Sequence, residues 1–326
     1  MGVALIPGVL AWLVIALLLR LTRGRLLADH PNERSLHSVP TPRIGGIGIL
    51  AGVLLIALAR LPASLSIVLA AALLLWGVSL ADDIRSLPVL VRLAAHSLAA
   101  LTAMAAIGGI PQAPLEVAWW LGAALAIAWT TNLFNFMDGS DGLAGGMAAI
   151  GFAAYAIAAW RSQETALLFT AAALSSASAG FLVHNFPPAR TFLGDSGSIP
   201  LGFLAGALGI YGGYAGAWPW FFPLVVFSPF IVDASITLLR RIVRREAIWK
   251  AHRSHYYQRL VLAGWSRRDV ALRAYLLMAA AGVSALVLQG GGLLLQCGII
   301  FGWSAVYSLM LYAIDRTTTR KSQAAP

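Results

Sequence analysis

Eleven long apolar stretches follow one another with only short polar breaks between them, and no water-soluble fold can bury that many. They lie at 3–19, 44–59, 63–81, 91–110, 115–134, 143–160, 165–183, 199–217, 218–239, 270–289 and 291–314. A helix crossing the hydrocarbon of a bilayer needs about 20 mainly apolar residues. Only 11% of the chain is charged, against about a quarter in an ordinary soluble domain. The excess apolar surface must face lipid. The expected fold is an all-α polytopic membrane protein, a bundle of about eleven transmembrane helices in a single domain over residues 1–326. The first stretch is not expected to be a cleaved signal, because its basic residues follow it. A single cysteine, Cys297, leaves no intramolecular disulfide and no cysteine-based metal site.

A net charge of +10 would suggest nucleic acid in a soluble protein. In a membrane protein it means basic loops beside anionic head groups, so no nucleic-acid partner is expected. Of the 23 Lys and Arg, 21 fall in alternate breaks and the C-terminal tail, leaving Arg60 and Arg161 opposite. The positive-inside rule then places the N-terminus outside and the C-terminus in the cytoplasm, with a basic cytoplasmic loop at 240–269. Eleven of the 13 acids share the cytoplasmic side, and Asp233 alone lies within a span. Intramembrane charges mark ion paths and proton relays. Their scarcity disfavours the alternative function, a transporter of nucleotide or lipid-linked sugars, which needs a polar path at the midplane.

Three inner loops carry the chemistry. In ADDIRSLPVLVRL (81–93), Asp82 and Asp83 end a helix where the dipole disfavours carboxylates, so a solvated or capping role explains one of them better than both. In NLFNFMDGSDGLAGG (132–146), Asn132, Asn135, Asp138 and Asp141 recur every three residues; the bland reading makes Asp141 a helix cap. In NFPPARTFLGDSGSIPLGF (185–203), Asp195 stands before a helix, where it either caps or helps to bind phosphate or metal. These hard oxygen ligands suit Mg²⁺ or Mn²⁺ shared with substrate phosphates. The basic loop mixes aromatic residues with its cations, as an interfacial segment does. His252 and His255 share one helical face within it, and their affinity for an anion is expected to rise as pH falls toward about 6.5.

With HSVPTPRIGGIGI (37–49) and HRSHYYQRL (252–260), these motifs occur in order over nearly the whole chain. The sequence resembles the polyprenyl-phosphate N-acetylhexosamine-1-phosphate transferases, which include phospho-N-acetylmuramoyl-pentapeptide transferase. The resemblance implies a Mg²⁺-dependent transferase of the bacterial inner membrane, with its site on the cytoplasmic face. Its donor would be a UDP-N-acetylhexosamine and its acceptor undecaprenyl phosphate, with UMP released at the start of cell-surface glycan synthesis. By analogy Asn135 and Asp195 hold the metal, and Asp82 and Asp83 lie beside the acceptor phosphate. Asp138 and Asp141 join the catalytic acids, while Arg43, Asn132, Asn185, His252 and His255 contact substrate. A homodimer is compatible with the family. Two departures stand out: Arg253 and Ser254 separate the histidines where several relatives have a denser run, and Arg85 follows Asp83 where some relatives have lysine nearby. A CDP-alcohol phosphotransferase would require an Asp-Gly-x-x-Ala-Arg run that DGSDGLAGG lacks.

Overall fold

The computed structural model describes residues 5–23, 26–29, 31, 39–55, 61–247 and 252–323. His37, Arg60 and Lys250, and the far ends of the stretches at 3–19 and 44–59, lie outside them. The described chain is helical apart from one short antiparallel ladder. It begins with α1 (Ile6–Leu21), then β1 (Ala28–Asp29), β2 (Thr41–Pro42) and α2 (Gly45–Val53). Ala28 pairs with Pro42 and Asp29 with Thr41. There follow α3 (Ala63–Ile84), α4 (Val89–Gly108), α5 (Pro114–Phe136), α6 (Leu143–Arg161), α7 (Thr165–Asn185) and α8 (Asp195–Tyr214). The chain ends with α9 (Phe222–Val226), α10 (Ser228–Val243), α11 (Tyr256–Leu262), α12 (Arg267–Gln289) and α13 (Leu293–Gln323).

The all-α bundle holds, but the expected eleven spans do not. Among the described residues seven helices are long and apolar enough to cross a membrane: α3 to α7, α12 and α13. The reasons are local. α1 has 16 residues, and α2 is described for only nine. α8 has 20, but Asp195, Pro200 and its glycines dilute its apolar character. The stretch at 218–239 breaks into α9 and α10 at Phe227–Ser228, where Pro223 and Pro229 each open a new helix. Apolar composition alone does not distinguish a spanning helix from a short or interrupted one inside a bundle.

α8 is the central strut, packed between α3 and α5. Its glycines permit that approach: a Cβ on Gly202 would lie 2.5 Å from the Thr130 carbonyl oxygen of α5. Close packing over small residues is how helices associate where no hydrophobic effect drives them together. Tyr155, fully buried on α6, donates to the Ala205 carbonyl of α8 at 2.9 Å and stacks near Trp218. α13 is different. Only 6% of its apolar stretch is buried, against 72% for α6.

Candidate active site

The C-terminal ends of α3, α5 and α7 and the N-terminal ends of α2, α6, α8 and α12 meet at one end of the bundle, where the acidic motifs gather. The acid pair in the wrong dipole position finds its explanation here. Asp83, at the end of α3, accepts the Asp195 and Ser196 backbone N–H groups at 3.1 and 2.9 Å, so it caps α8 from another helix. The negative end of one dipole is thereby offset by the positive end of another. Asp82 beside it accepts the Leu87 N–H at 2.5 Å and Arg92 Nη1 at 3.1 Å, fastening the turn between α3 and α4.

Arg92 also lies 3.8 Å from Asp195, and Arg43 Nη1 lies 3.9 Å from Asp83 while pairing with Asp29 at 2.7 Å. Two guanidinium groups therefore border the carboxylate recess. Asp195 has its carboxyl pushed up to about 7, first by desolvation and then by Asp83 and Asp82, with the Asn135 hydrogen bond opposing. Desolvation, followed by the charge of Asp195, holds Asp138 well above the ordinary carboxylate value. Crowded carboxylates that resist ionisation are the environment a divalent cation relieves. Among the described residues no three His, Cys, Asp or Glu side chains form an all-protein metal group. A cation here would be held by Asp195 and Asn135 with substrate oxygens completing its shell, as suits Mg²⁺.

The remaining acids and amides of the motifs bond within the chain. Asp141 does not cap α6, whose N-cap is Gly142. Its carboxylate instead accepts the Ala189 N–H at 3.1 Å and Arg267 at 3.3 Å. Asn185 is buried, accepting the Gly142 N–H at 2.8 Å and donating to the Thr191 carbonyl at 2.9 Å. Asn132 donates to the Ala128 carbonyl at 2.7 Å and hydrogen-bonds His96. The three-residue repeat thus divides: Asn132 and Asn135 lie on the last turn of α5, and Asp138 and Asp141 in the turn beyond it.

The histidine loop docks onto that turn. Tyr257 donates to the Phe136 carbonyl at 3.1 Å, and the His255 ring stacks against Phe136 and lies 5.0 Å from His252. Asp233, the one charge read within a span, organises the loop. It accepts the Tyr256 and Tyr257 N–H groups at 2.9 and 3.0 Å and meets His255 Nδ1 at 3.3 Å. His252 departs from the expected behaviour. Desolvation, then His255 and Arg241, lower its imidazole to about 4, leaving it neutral near pH 7. Sequence reasoning missed Arg92 and Asp233 as organisers. The signal for Asp233 was its isolation in apolar surroundings, and for Arg92 its place in the first turn of the helix that follows the acid pair.

Such a fold and site define a multi-pass membrane protein with an acidic, arginine-bordered recess and a histidine loop at one end. Comparison with known proteins narrows this. The family described as Glycosyl transferase family 4 matches residues 65–213. A Bacillus subtilis (strain 168) protein, named "Probable undecaprenyl-phosphate N-acetylglucosaminyl 1-phosphate transferase", is 28% identical over 316 residues, 92% of this chain and 88% of its own. A phospho-N-acetylmuramoyl-pentapeptide-transferase of Moorella thermoacetica is 35% identical over 221 residues, 60% of this chain and 69% of its own. The decaprenyl-phosphate N-acetylglucosaminephosphotransferase of Mycobacterium tuberculosis (strain ATCC 25618 / H37Rv) is 29% identical over 301 residues, covering 79% and 74%. The chain belongs to the polyprenyl-phosphate N-acetylhexosamine-1-phosphate transferases.

Proposed function

We propose that this protein transfers an N-acetylhexosamine-1-phosphate from a UDP-sugar to undecaprenyl phosphate, releasing UMP at the cytoplasmic face of a bacterial plasma membrane. The observation that carries this reading is the convergence of Asp83, Asp195, Asn135 and Asp138 at the mouth of the bundle, with Arg43 and Arg92 beside them. Both substrates are anions, so the site must first overcome their repulsion. Arg43 and Arg92 supply fixed positive charge for phosphate oxygens. Asp195 and Asn135 would hold Mg²⁺, which would supply charge neutralisation for the diphosphate and its leaving oxygen.

The protein's own groups do the positioning. Asp83 locks the start of α8 and so sets Asp195 against Asn135. Asp138, close to Asp195 and Asp83, is assigned to orienting the acceptor phosphate. An apolar recess between α2, α3 and α8, lined by Ile49, Leu69, Trp76 and Leu204, reaches Ser196 beside Asp83. It offers the acceptor's isoprenoid chain a path that ends with its phosphate at the acids. The histidine loop, anchored on Phe136, approaches from the donor side.

The test is UMP release by the purified protein in detergent, given undecaprenyl phosphate, Mg²⁺ and a panel of UDP-N-acetylhexosamines. Release should require both the acceptor and the cation. Asp195→Asn, which keeps size and removes charge, should lower turnover on the order of 100-fold or more. UMP release that ignores the acceptor, or a folded Asp195→Asn protein of undiminished rate, would sink the assignment.

A further inference from the structure

The loosely packed side of the bundle holds a second recess. A cavity of about 350 Å³ lies between α10, α12 and α13 and is closed at one end by α11. That volume is within the roughly 300–1,000 Å³ of ordinary small-molecule sites. Phe230, Leu277, Met278, Met310 and Ile314 line its walls. These walls are apolar, the polar groups Asp233, Tyr257 and Arg273 standing at the floor and mouth, and an apolar gap left empty forfeits the dispersion contacts of its walls. The gap exists because α13 is tied to the body by polar contacts rather than by packing. Tyr307 bonds to Ser228 at 2.7 Å, and Asp315 takes Arg240 at 2.8 Å and Arg259 at 2.6 Å. In a bilayer the medium that fills such a gap is a lipid chain.

The mouth of the cavity supplies the second half of the argument. Arg273 lines it, with its guanidinium 4.1 Å over the ring of Trp265, which also lines it. Arg240 and Arg259 share the one carboxylate of Asp315 and are held by it, whereas among the described residues no carboxylate pairs with Arg273. Stacking on the indole fixes the guanidinium plane and leaves its N–H edge free for a phosphate. Arg273 lies six residues beyond Arg267, roughly 9 Å along α12 from its charged start, on the same end of the bundle as Arg267. An apolar slot under a preorganised, unneutralised arginine matches an acyl chain attached to an anionic head group.

We propose that this cavity binds one anionic membrane phospholipid, with an acyl chain between α13 and the body and its phosphate on Arg273. The site is distinct from the acceptor's recess, which lies across the bundle between α2, α3 and α8. Its floor includes Asp233 and Tyr257, so the bound chain would also support the loop that carries the histidines.

Native mass spectrometry of the full chain in detergent tests this with added phosphatidylglycerol, phosphatidylcholine or undecaprenyl phosphate. The wild type should retain one phosphatidylglycerol with about tenfold preference over phosphatidylcholine, the worth of one charge-assisted contact. Arg273→Ala should erase that preference. Arg273→Gln, which keeps the bulk and removes the charge, should do the same and serves if the alanine variant folds poorly. Leu277→Trp, which fills the slot, should reduce binding of both phospholipids. Absence of a one-to-one phosphatidylglycerol adduct, or undiminished preference in both Arg273 variants, would overturn the proposal. So would displacement of the phospholipid by undecaprenyl phosphate, which would return the cavity to the acceptor. None of these readings needs turnover, so their failure leaves the transferase assignment untouched.

Discussion

Gly194 joins the acid recess to α8, and no other residue suits its place. Its φ of +75° and ψ of 169° lie in a region that only glycine occupies readily. A Cβ there would also meet an Asp83 carboxylate oxygen at 2.9 Å and Arg43 Cβ at 3.2 Å. Gly194→Ala should therefore cost about 1–3 kcal/mol and displace Asp195, lowering both Tm and UMP release. Gly77→Ala, where no atom lies within 4 Å of the added carbon, is the control and should leave both unchanged. His252 gives a second test at this scale. A lowered pKa means the imidazole sheds its proton as pH rises through about 4 and stays neutral at neutral pH. Because kcat/KM reports free-enzyme groups, the ratio of wild type to His252→Ala in donor kcat/KM should be flat from about pH 5.5 to 8. An inflection near 6.5 in that ratio would restore the ordinary imidazole expected from sequence. The acids of the site were legible residue by residue because hard oxygen ligands are conspicuous in an apolar chain. What each carboxylate bonds to was not, since Asp83 and Asp195 are separated by 112 residues and only the packing of α3 on α8 joins them.

At the scale of elements, α11 is a helix of seven residues and has no stability of its own in isolation. Two of its first N–H groups end on Asp233, and Gln258 closes the turn by accepting the His255 N–H at 3.2 Å. Asp233→Asn keeps one acceptor oxygen and loses the charge, which should weaken this anchor by about 1–3 kcal/mol. Amide exchange at Tyr256 and Tyr257 should accelerate, and the donor KM should rise while the acceptor KM stays near wild type. Equal changes in both KM values would mean general loosening instead of a specific effect on the histidine loop. From sequence, the helix periodicity of HRSHYYQRL placed both histidines on one helix. In the structure His252 precedes α11 and His255 is its N-cap, because Asp233 sets the helix start from another element. The break between α9 and α10 was similarly hidden, although Pro223 and Pro229 mark it in hindsight.

Across the whole molecule, the acids and the histidine loop share one end with the basic residues Arg43, Arg92 and Arg267, while Arg161 bonds to the Leu286 carbonyl at the opposite end. Three of the residues read as cytoplasmic thus lie at the acid end and Arg161, read as opposite, at the other, although the number of spans was overestimated. We propose that the acid-bearing end faces the cytoplasm, because 21 of the 23 basic residues belong to breaks assigned to that side. Single-cysteine labelling in a Cys297→Ser background tests this with two exposed positions. Arg268 stands in the first turn of α12 at the acid end, and Gln112 lies in the turn between α4 and α5 at the other. With an impermeant maleimide, Gln112→Cys should be modified in intact cells, and Arg268→Cys only after the membrane is opened. The reverse pattern would place the recess outside. A cytoplasmic UDP-sugar could not reach it there, so both the orientation and the donor assignment would fall together.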